Sequence, residues 1–378
     1  MRLLTDEQKD LCAIVSDFCR KEIEPNLKDW DARGTWPLEV YQRAYELGLN
    51  TMDMPEEFGG LALDNQTAGA LYEQMGYYDS GLALTTVTTN LSWKPVSLGG
   101  TQEQKRLFCE LVQNGSGCAS FALTEPGGGS DVASTRTRAV RDGDEYIING
   151  TKCFITNGGG ASVFVVVAST APELGAKGLT AFLVERERSG ISVGKEEDKC
   201  GIRTSNTVEL AFQDVRVPAD HRIGGEGEGF SLVMKTLDLS RPFIAAIATG
   251  MAQRALDEAV KYSKERVTFG KPICTFQALQ FMMSDMAAMV ETSRQMYVHA
   301  LDLAGKGLPF TKEAAIAKAY CTECATKVAE NAIQIMGGYG YMREYPVERI
   351  WRDSKIYQIF EGTNQVQRIV IAGKLLGK

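Results

Sequence analysis

The segment IYQIFEGTNQVQR (356–368) sets one carboxylate, Glu361, behind an apolar wall of Ile356, Tyr357, Ile359 and Phe360 and in front of a glycine. Such a glutamate is a solvated loop charge, or, if it points into an apolar pocket, a carboxylate whose pKa desolvation raises into the range of a usable general base. Thr363 or Asn364 can cap a helix that follows it. Two glycine clusters are the other candidates. Gly127-Gly128-Gly129-Ser130, in FALTEPGGGSDV, follows an expected strand. With Thr124 and Ser130 it can offer backbone N–H groups to an anion or an electron-rich ring, or it can be a plain tight turn. It lacks the Gly-Lys-Ser/Thr of a P-loop and the G-x-G-x-x-G spacing of a dinucleotide site. Gly337-Gly338-Tyr339-Gly340 interrupts two expected helices, as a helix end or as a close backbone approach to a ligand.

Other chemistries are disfavoured by composition. The chain has only two histidines, His221 and His299, which excludes a histidine-rich metal site and makes a Ser-His-Asp hydrolase unlikely. Its nine cysteines are an odd number spread over 378 residues, which suits reduced thiols in a reducing compartment better than a disulfide framework. Cys321 and Cys324 form a C-x-x-C inside a helical stretch without a second pair, the pattern of two helix-core thiols. A net charge of 41 − 48 = −7 argues against a nucleic-acid partner. No apolar run approaches the ~20 residues of a membrane span, and MRLLTDEQKD does not read as a signal peptide.

The elements that must position these residues fall into three stretches, each expected to bury a core of its own. The first reads as helices. Thr5 to Gln8 is a capping box before Leu11, Ile14, Val15 and Phe18; Pro25 ends that segment, and Pro37 opens another that closes at Gly48. Helical patterns cover 66–77 and 80–98, and a second capping box, Thr101 to Gln104, starts a helix to about 114. From Cys118 to Val217 the pattern becomes short β-branched and aromatic runs. Asp142-Gly143 and Asn149-Gly150 are hairpin signals, so an antiparallel barrel or sandwich is expected. After GGEGEGF (224–230) helix returns over roughly 230–265, 276–305 and 311–336, with a final pair from about 346, which implies a bundle.

FALTEPGGGSDV, KCFITNGG, ERVTFGKPICTFQ, AIQIMGGYGY and YQIFEGTNQVQR together resemble the acyl-CoA dehydrogenase family, in order and at family spacing, over essentially the whole chain. The resemblance implies an α+β multidomain fold. It has an N-terminal α-helical domain (1–116), a middle antiparallel β-barrel domain (117–222) and a C-terminal four-helix-bundle domain (223–378). It also implies FAD, oxidation of an acyl-CoA to its trans-2-enoyl-CoA, electron-transfer flavoprotein as partner, and a homotetramer whose subunits complete one another's flavin sites. A cytoplasmic location follows, or the mitochondrial matrix for a processed eukaryotic chain.

Carried over residue by residue, Phe121, Leu123 and Thr124 line the flavin ring, Ser130 lies near flavin and CoA, and Phe154 and Thr156 flank the isoalloxazine. Arg266, Thr268, Phe269 and Gln277 match the stretch that reaches a partner's FAD, and Gln334 through Gly337 and Gly338 match the segment under its adenosine half. Thr363 and Gln365 contact the cofactor. Glu361 matches the family's usual catalytic base, the resemblance implies that the backbone N–H at this glutamate binds the thioester carbonyl, and Gly362 belongs to the implied substrate set. Asp238 and Arg241 handle CoA and orient the base loop.

Isovaleryl- and long-chain relatives carry the base immediately before the arginine equivalent to Arg241; that position is Ser240 here, so the usual placement is expected. Glutaryl relatives carry an arginine soon after Asp79-Ser80-Gly81; here Leu82, Ala83 and Leu84 follow, which disfavours a dicarboxylic substrate. Ala83, Leu84, Val87 and Trp93 fall where relatives line the acyl tail, which suggests a short or compact apolar group; the same residues also read as plain helix core. An enoyl-CoA reductase, an acyl-CoA oxidase and a non-catalytic scaffold of the same fold are the alternatives.

Overall fold

The computed structural model describes residues 4–377; the first three residues, on which part of the signal-peptide reading falls, and the last residue lie outside them. Among the described residues, helices α1 (Asp6–Phe18), α2 (Glu24–Arg33), α3 (Leu38–Tyr45), α4 (Asn65–Tyr78), α5 (Ser80–Gly99) and α6 (Gln102–Asn114) come first. Both capping boxes form, Thr5 with Gln8 and Thr101 with Gln104. Pro25 does not end the first helix. A π-helical turn, Cys19–Ile23, leads into α2, and Pro25 sits in the first turn of α2, where its missing N–H breaks no intrahelical bond.

The middle of the chain forms β1 (Ala119–Ala122), β2 (Arg138–Asp142), β3 (Glu145–Thr156), β4 (Val163–Ser169), β5 (Leu179–Glu185), β6 (Ile191–Glu196), β7 (Thr207–Pro218) and β8 (Arg222–Ile223). These join in one sheet in the order β6-β7-β3-β2-β4-β5-β8, with β1 against β4. Inward side chains such as Tyr146, Phe164, Phe182, Leu210 and Phe212 form one core drawn from both ends of the sheet. The pairing is chiefly antiparallel, but β1 runs parallel to β4, from Ala119 opposite Val163 to Ala122 opposite Val166. That strand enters from α6 and so comes into the sheet without a hairpin.

Asp142-Gly143 makes the expected tight turn between β2 and β3. Asn149-Gly150 does not: it is a bulge inside the long β3, where the register to β7 shifts between Ile148 and Gly150. A side chain at Gly150 would meet the Thr137 Cα at 2.7 Å, so glycine serves close packing here rather than a reversal.

Helices α7 (Gly229–Glu265), α8 (Gln277–Gly305), α9 (Thr311–Met336), α10 (Val347–Tyr357) and α11 (Asn364–Leu376) follow, with a small β9 (Val267–Thr268) and β10 (Lys271–Pro272) hairpin between α7 and α8. The two helical stretches do not bury separate cores. Val15, Tyr41, Leu71, Tyr72 and Leu84 from the first share one apolar cluster with Ile244, Met251, Tyr297, Val328 and Tyr357 from the second. The outer face of the sheet packs through Val163, Val165 and Leu183 on Trp93, Phe108 and Val112.

Candidate active site

Three elements converge on Glu361: α7, α9 and the turn between α10 and α11. Glu361 has φ 57° and Gly362 φ 83°, so two successive residues take the left-handed conformation. For a glutamate that geometry is uncommon and is held by its surroundings. Thr363 caps α11 by accepting from the Val366 N–H at 3.2 Å. Asn364, the other candidate cap, is instead buried against α9. The apolar wall is only partly a wall: Tyr357 is fully buried and meets Phe360 edge to face at 4.8 Å, whereas Ile359 faces outward.

The Ser240 hydroxyl donates to Glu361 Oε2 at 2.8 Å. Glu361 is half-buried as a residue, but burial of its carboxyl dominates and raises its pKa, against the Ser240 hydrogen bond and the charges of Arg241 and Lys318. Arg241, 3% exposed, binds Asp238 Oδ1 at 2.6 Å through Nη1. Asp238 Oδ2 accepts from Thr311 at 2.7 Å, so both carboxylate oxygens are engaged within the protein. Pro242 follows Arg241 inside α7 and frees the Asp238 carbonyl from its usual helical bond at this level. On the far side, Gln367 Nε2 donates to the Gly362 carbonyl at 2.9 Å.

The sheet brings a second group together. Phe121 and Leu123 pack on Val233 and Leu237 of α7, the helix that carries Ser240 and Arg241. Thr124 accepts through its carbonyl from the Cys153 N–H at 2.9 Å, and the Thr156 carbonyl accepts from Ser120 at 2.8 Å. Phe121, Leu123, Thr124, Phe154 and Thr156 therefore lie on adjoining segments. Phe154 is 64% exposed with φ 56°, an aromatic held outward by its backbone.

Beneath this group lies a buried ion pair. Lys152, 0% exposed, reaches Glu125 Oε1 at 2.8 Å and the Leu123 carbonyl at 2.9 Å. Glu125 also accepts from the backbone N–H groups of Arg136 at 2.6 Å and Thr137 at 2.9 Å. Burial works to raise the Glu125 pKa, but Lys152 and these hydrogen bonds outweigh it and lower it. Burial brings Lys152 down to about 8. In the glycine loop above, Glu125 and Gly128 exchange both backbone hydrogen bonds, and Ser130 is exposed.

A third group gathers elsewhere. The β9–β10 hairpin holds Arg266, Thr268 and Phe269, and Gln277 opens α8. Arg266 lies over the Tyr339 ring at 5.6 Å, which ties the hairpin to the turn after α9 that holds Gly337 and Gly338, with Gln334 exposed just before it. Phe269 is 90% exposed at φ 52°. A side chain at Gly337 or Gly338 would meet nothing within 4 Å, so this backbone faces open space. No hydrogen bond or ion pair joins this group to Glu361 among the described residues.

Of the acyl-tail candidates, Ala83, Leu84 and Val87 belong to the common helical core, while Trp93 faces the other way and packs on Phe108 at 5.7 Å. Six residues along a helix from Val87 turn Trp93 well away from that face. Sequence reasoning did not single out Lys318 or Gln367, nor the Lys152–Glu125 pair. A lysine inside the apolar run AAIAKAYC was the available signal, since a charge on a core face needs a partner.

The chain matches the family models for the acyl-CoA dehydrogenase N-terminal domain over 5–116, middle domain over 120–215 and C-terminal domain over 227–376. It is 42% identical over 378 residues to the short-chain specific acyl-CoA dehydrogenase of Megasphaera elsdenii, covering 99% of both chains. The solved butyryl-CoA dehydrogenase of that organism superposes with a TM-score of 0.96 at 42% identity, over 99% of each chain. A chain solved in work on the electron transferring flavoprotein of Acidaminococcus fermentans and flavin-based electron bifurcation gives 0.97 at 42% identity, over 100% of both.

Proposed function

Because the chain belongs to the acyl-CoA dehydrogenase family, we propose that it dehydrogenates short, uncharged acyl-CoA thioesters with Glu361 as the base. The reaction is α,β-dehydrogenation to the trans-2-enoyl-CoA, with electron-transfer flavoprotein taking the electrons. The observation that carries the base assignment is the held carboxyl of Glu361: left-handed turn, Ser240 at 2.8 Å, and a pKa raised by burial. The α-proton of a thioester is only weakly acidic, so a desolvated carboxylate of raised pKa suits its removal. The base position next to Arg241 is filled by Ser240, which cannot serve as a carboxylate and instead orients one. The backbone N–H at the Glu361–Gly362 turn is available to bind the thioester oxygen as negative charge develops on it.

The family is FAD-dependent, and the residues present fit that group. Phe121, Leu123, Thr124, Phe154 and Thr156 offer a partly apolar platform with an outward aromatic, suited to a flat ring. Thr363 and Gln365 stand just beyond the base. The open backbone at Gly337 and Gly338, with Gln334, exposed Arg266, Phe269 and Gln277 and half-buried Thr268 beside it, suits the pyrophosphate and adenosine end of a partner subunit's cofactor in a homotetramer. When bound, the flavin supplies the acceptor for the hydride that leaves the β-carbon. The exposure of Ser130 on the glycine loop supports a contact with CoA there. Asp238 and Arg241 act on the base turn from within, since their charged atoms are engaged with each other.

Short chains are supported by the bulk of Leu84 and Val87, both buried on α5, and by the substrate names of the Megasphaera relatives. No helix among the described residues is long and apolar enough to cross a membrane; with bacterial relatives, this supports a cytoplasmic enzyme.

The test is anaerobic titration of the flavin spectrum with saturated acyl-CoAs from propionyl to octanoyl, with branched, cyclic and dicarboxylic members. Butyryl-CoA should bleach the flavin most completely. Bleaching only by octanoyl-CoA or by a dicarboxylic thioester refutes the substrate reading. A separate variant probes the cofactor groups. Arg266→Ala should loosen FAD about 10- to 100-fold, the worth of a charge-assisted hydrogen bond to pyrophosphate. Flavin content after gel filtration reads this directly, and an undiminished ratio removes Arg266 from the cofactor site.

A further inference from the structure

Lys318 lies in the N-terminal third of α9, fully buried, in a helix whose other buried residues are alanine, cysteine, threonine, valine, isoleucine and methionine. Among the described residues its ammonium pairs with no carboxylate. It donates to the Gly362 carbonyl at 2.8 Å and to Asn364 Oδ1 at 3.1 Å. Asn364 is fixed in turn by its Nδ2, which donates to Thr322 Oγ1 at 3.0 Å and to the Ala319 carbonyl at 3.2 Å. A buried cation is costly unless compensated. Its two acceptors here are the carbonyl of Gly362, the residue after Glu361, and the side chain of Asn364, the first residue of α11, so it bridges the left-handed turn and the helix that follows.

We infer that Lys318 is a positioning residue for the Glu361 turn, tying the Gly362 carbonyl and Asn364 to α9 so that the carboxyl stays beside Ser240 while its charge favours the ionised base. This rests on Glu361 being the base. The tie works with Gln367, which holds the same carbonyl from α11, so the Gly362 oxygen is clamped from two helices. The charged groups facing the turn are Lys318 and Glu323 from α9, Asp238 and Arg241 from α7, and Arg368 of α11, which pairs with Glu323 at 2.8 Å. Arg241 is bound to Asp238, so Lys318 is the cation in this set without a carboxylate partner of its own. Burial lowers it to about 7, with the Glu361 charge working in the opposite direction. The two groups therefore sit close enough to feel each other's charge.

The experiment uses holoenzyme whose flavin has been reduced beforehand, and follows α-deuterium exchange into butyryl-CoA from D2O across pH. This isolates proton removal from oxidation. The wild-type rate should rise with pH as Glu361 ionises. In Lys318→Met the rise should move up by about one pH unit, since an opposite charge has been withdrawn, and the plateau should fall about tenfold as the turn loosens. Lys318→Arg should return the rise to its wild-type position. Lys318→Gln keeps an N–H donor without the charge; it should shift the rise like Met with a smaller loss of plateau, and it serves where Met does not fold. An unshifted rise in both neutral variants, whatever the plateau or melting temperature, overturns the inference. Exchange that persists in Glu361→Gln instead overturns the base assignment, which keeps the two failures apart.

Discussion

Glu361→Gln should retain FAD and its fold yet reduce its flavin with butyryl-CoA about a thousandfold more slowly than the wild type, within the range positioned general bases supply. The amide keeps the size of the carboxyl and can still accept from Ser240, whose hydroxyl lies 2.8 Å from Oε2. The left-handed turn and the ties from Gln367 to the Gly362 carbonyl do not depend on the charge. What is lost is the lone pair that takes the α-proton. Stopped-flow reduction under argon measures it, and a variant that reduces at the wild-type rate places the base elsewhere. The pH dependence of the wild type carries the same sign information. Only the ionised carboxyl accepts a proton, and burial has raised its pKa. Reduction should therefore slow as pH falls, starting above the ordinary carboxylate range.

Lys152→Met should cost about 3–5 kcal/mol of stability, the usual penalty for removing one partner of a buried pair. Lys152 is fully buried and Glu125 nearly so, and the ammonium is also the Leu123 carbonyl's partner. Without it, Glu125 keeps its two backbone donors but faces burial uncompensated. The folded-state pKa of Glu125, lowered in the wild type, should then rise above its unfolded value. Stability missing at neutral pH should in consequence return as pH falls through that raised pKa. Urea denaturation at two pH values reads both effects. The double variant Glu125→Gln/Lys152→Met should recover more than half of the loss, because no buried charge remains. A loss below about 1 kcal/mol would mean that water reaches the site and solvates Glu125. Flavin content should fall as well if, as proposed, Leu123 and Thr124, which adjoin this pair, line the flavin ring.

Most of the helical layout was legible because caps and periodicity are local: Thr5, Thr101 and the long apolar stripes of α7 to α9 carry their own signals. Pro25 misled because a π-helical turn absorbed what a regular helix could not. Asn149-Gly150 misled for a different reason. The dipeptide suits a turn, but the approach of Thr137 from across the sheet is a tertiary fact, and it alone decides that glycine there means a bulge. The candidate site divides in the same way. Glu361 stood out by its apolar neighbours and by resemblance. Lys318 and Gln367 did not, because their role exists only once residues 44 positions apart in sequence, as Lys318 and Gly362 are, meet at one carbonyl. Trp93 is the converse case, close in sequence to Leu84 and Val87 yet packed in a different core.

The shared helical core has a consequence for how the chain folds as it is synthesised. Val15, Tyr41 and Leu71 leave the ribosome early, but their packing partners Ile244, Tyr297 and Val328 are made much later. The sheet between them closes a core of its own from residues within one stretch, Ala122 to Val217, and can settle while the rest is still being extended. Early apolar helix faces therefore wait with no permanent cover through the making of an entire β unit. Nascent chains halted after β8 should for that reason bind chaperones through their first helices, whereas chains halted after α9 has emerged should not.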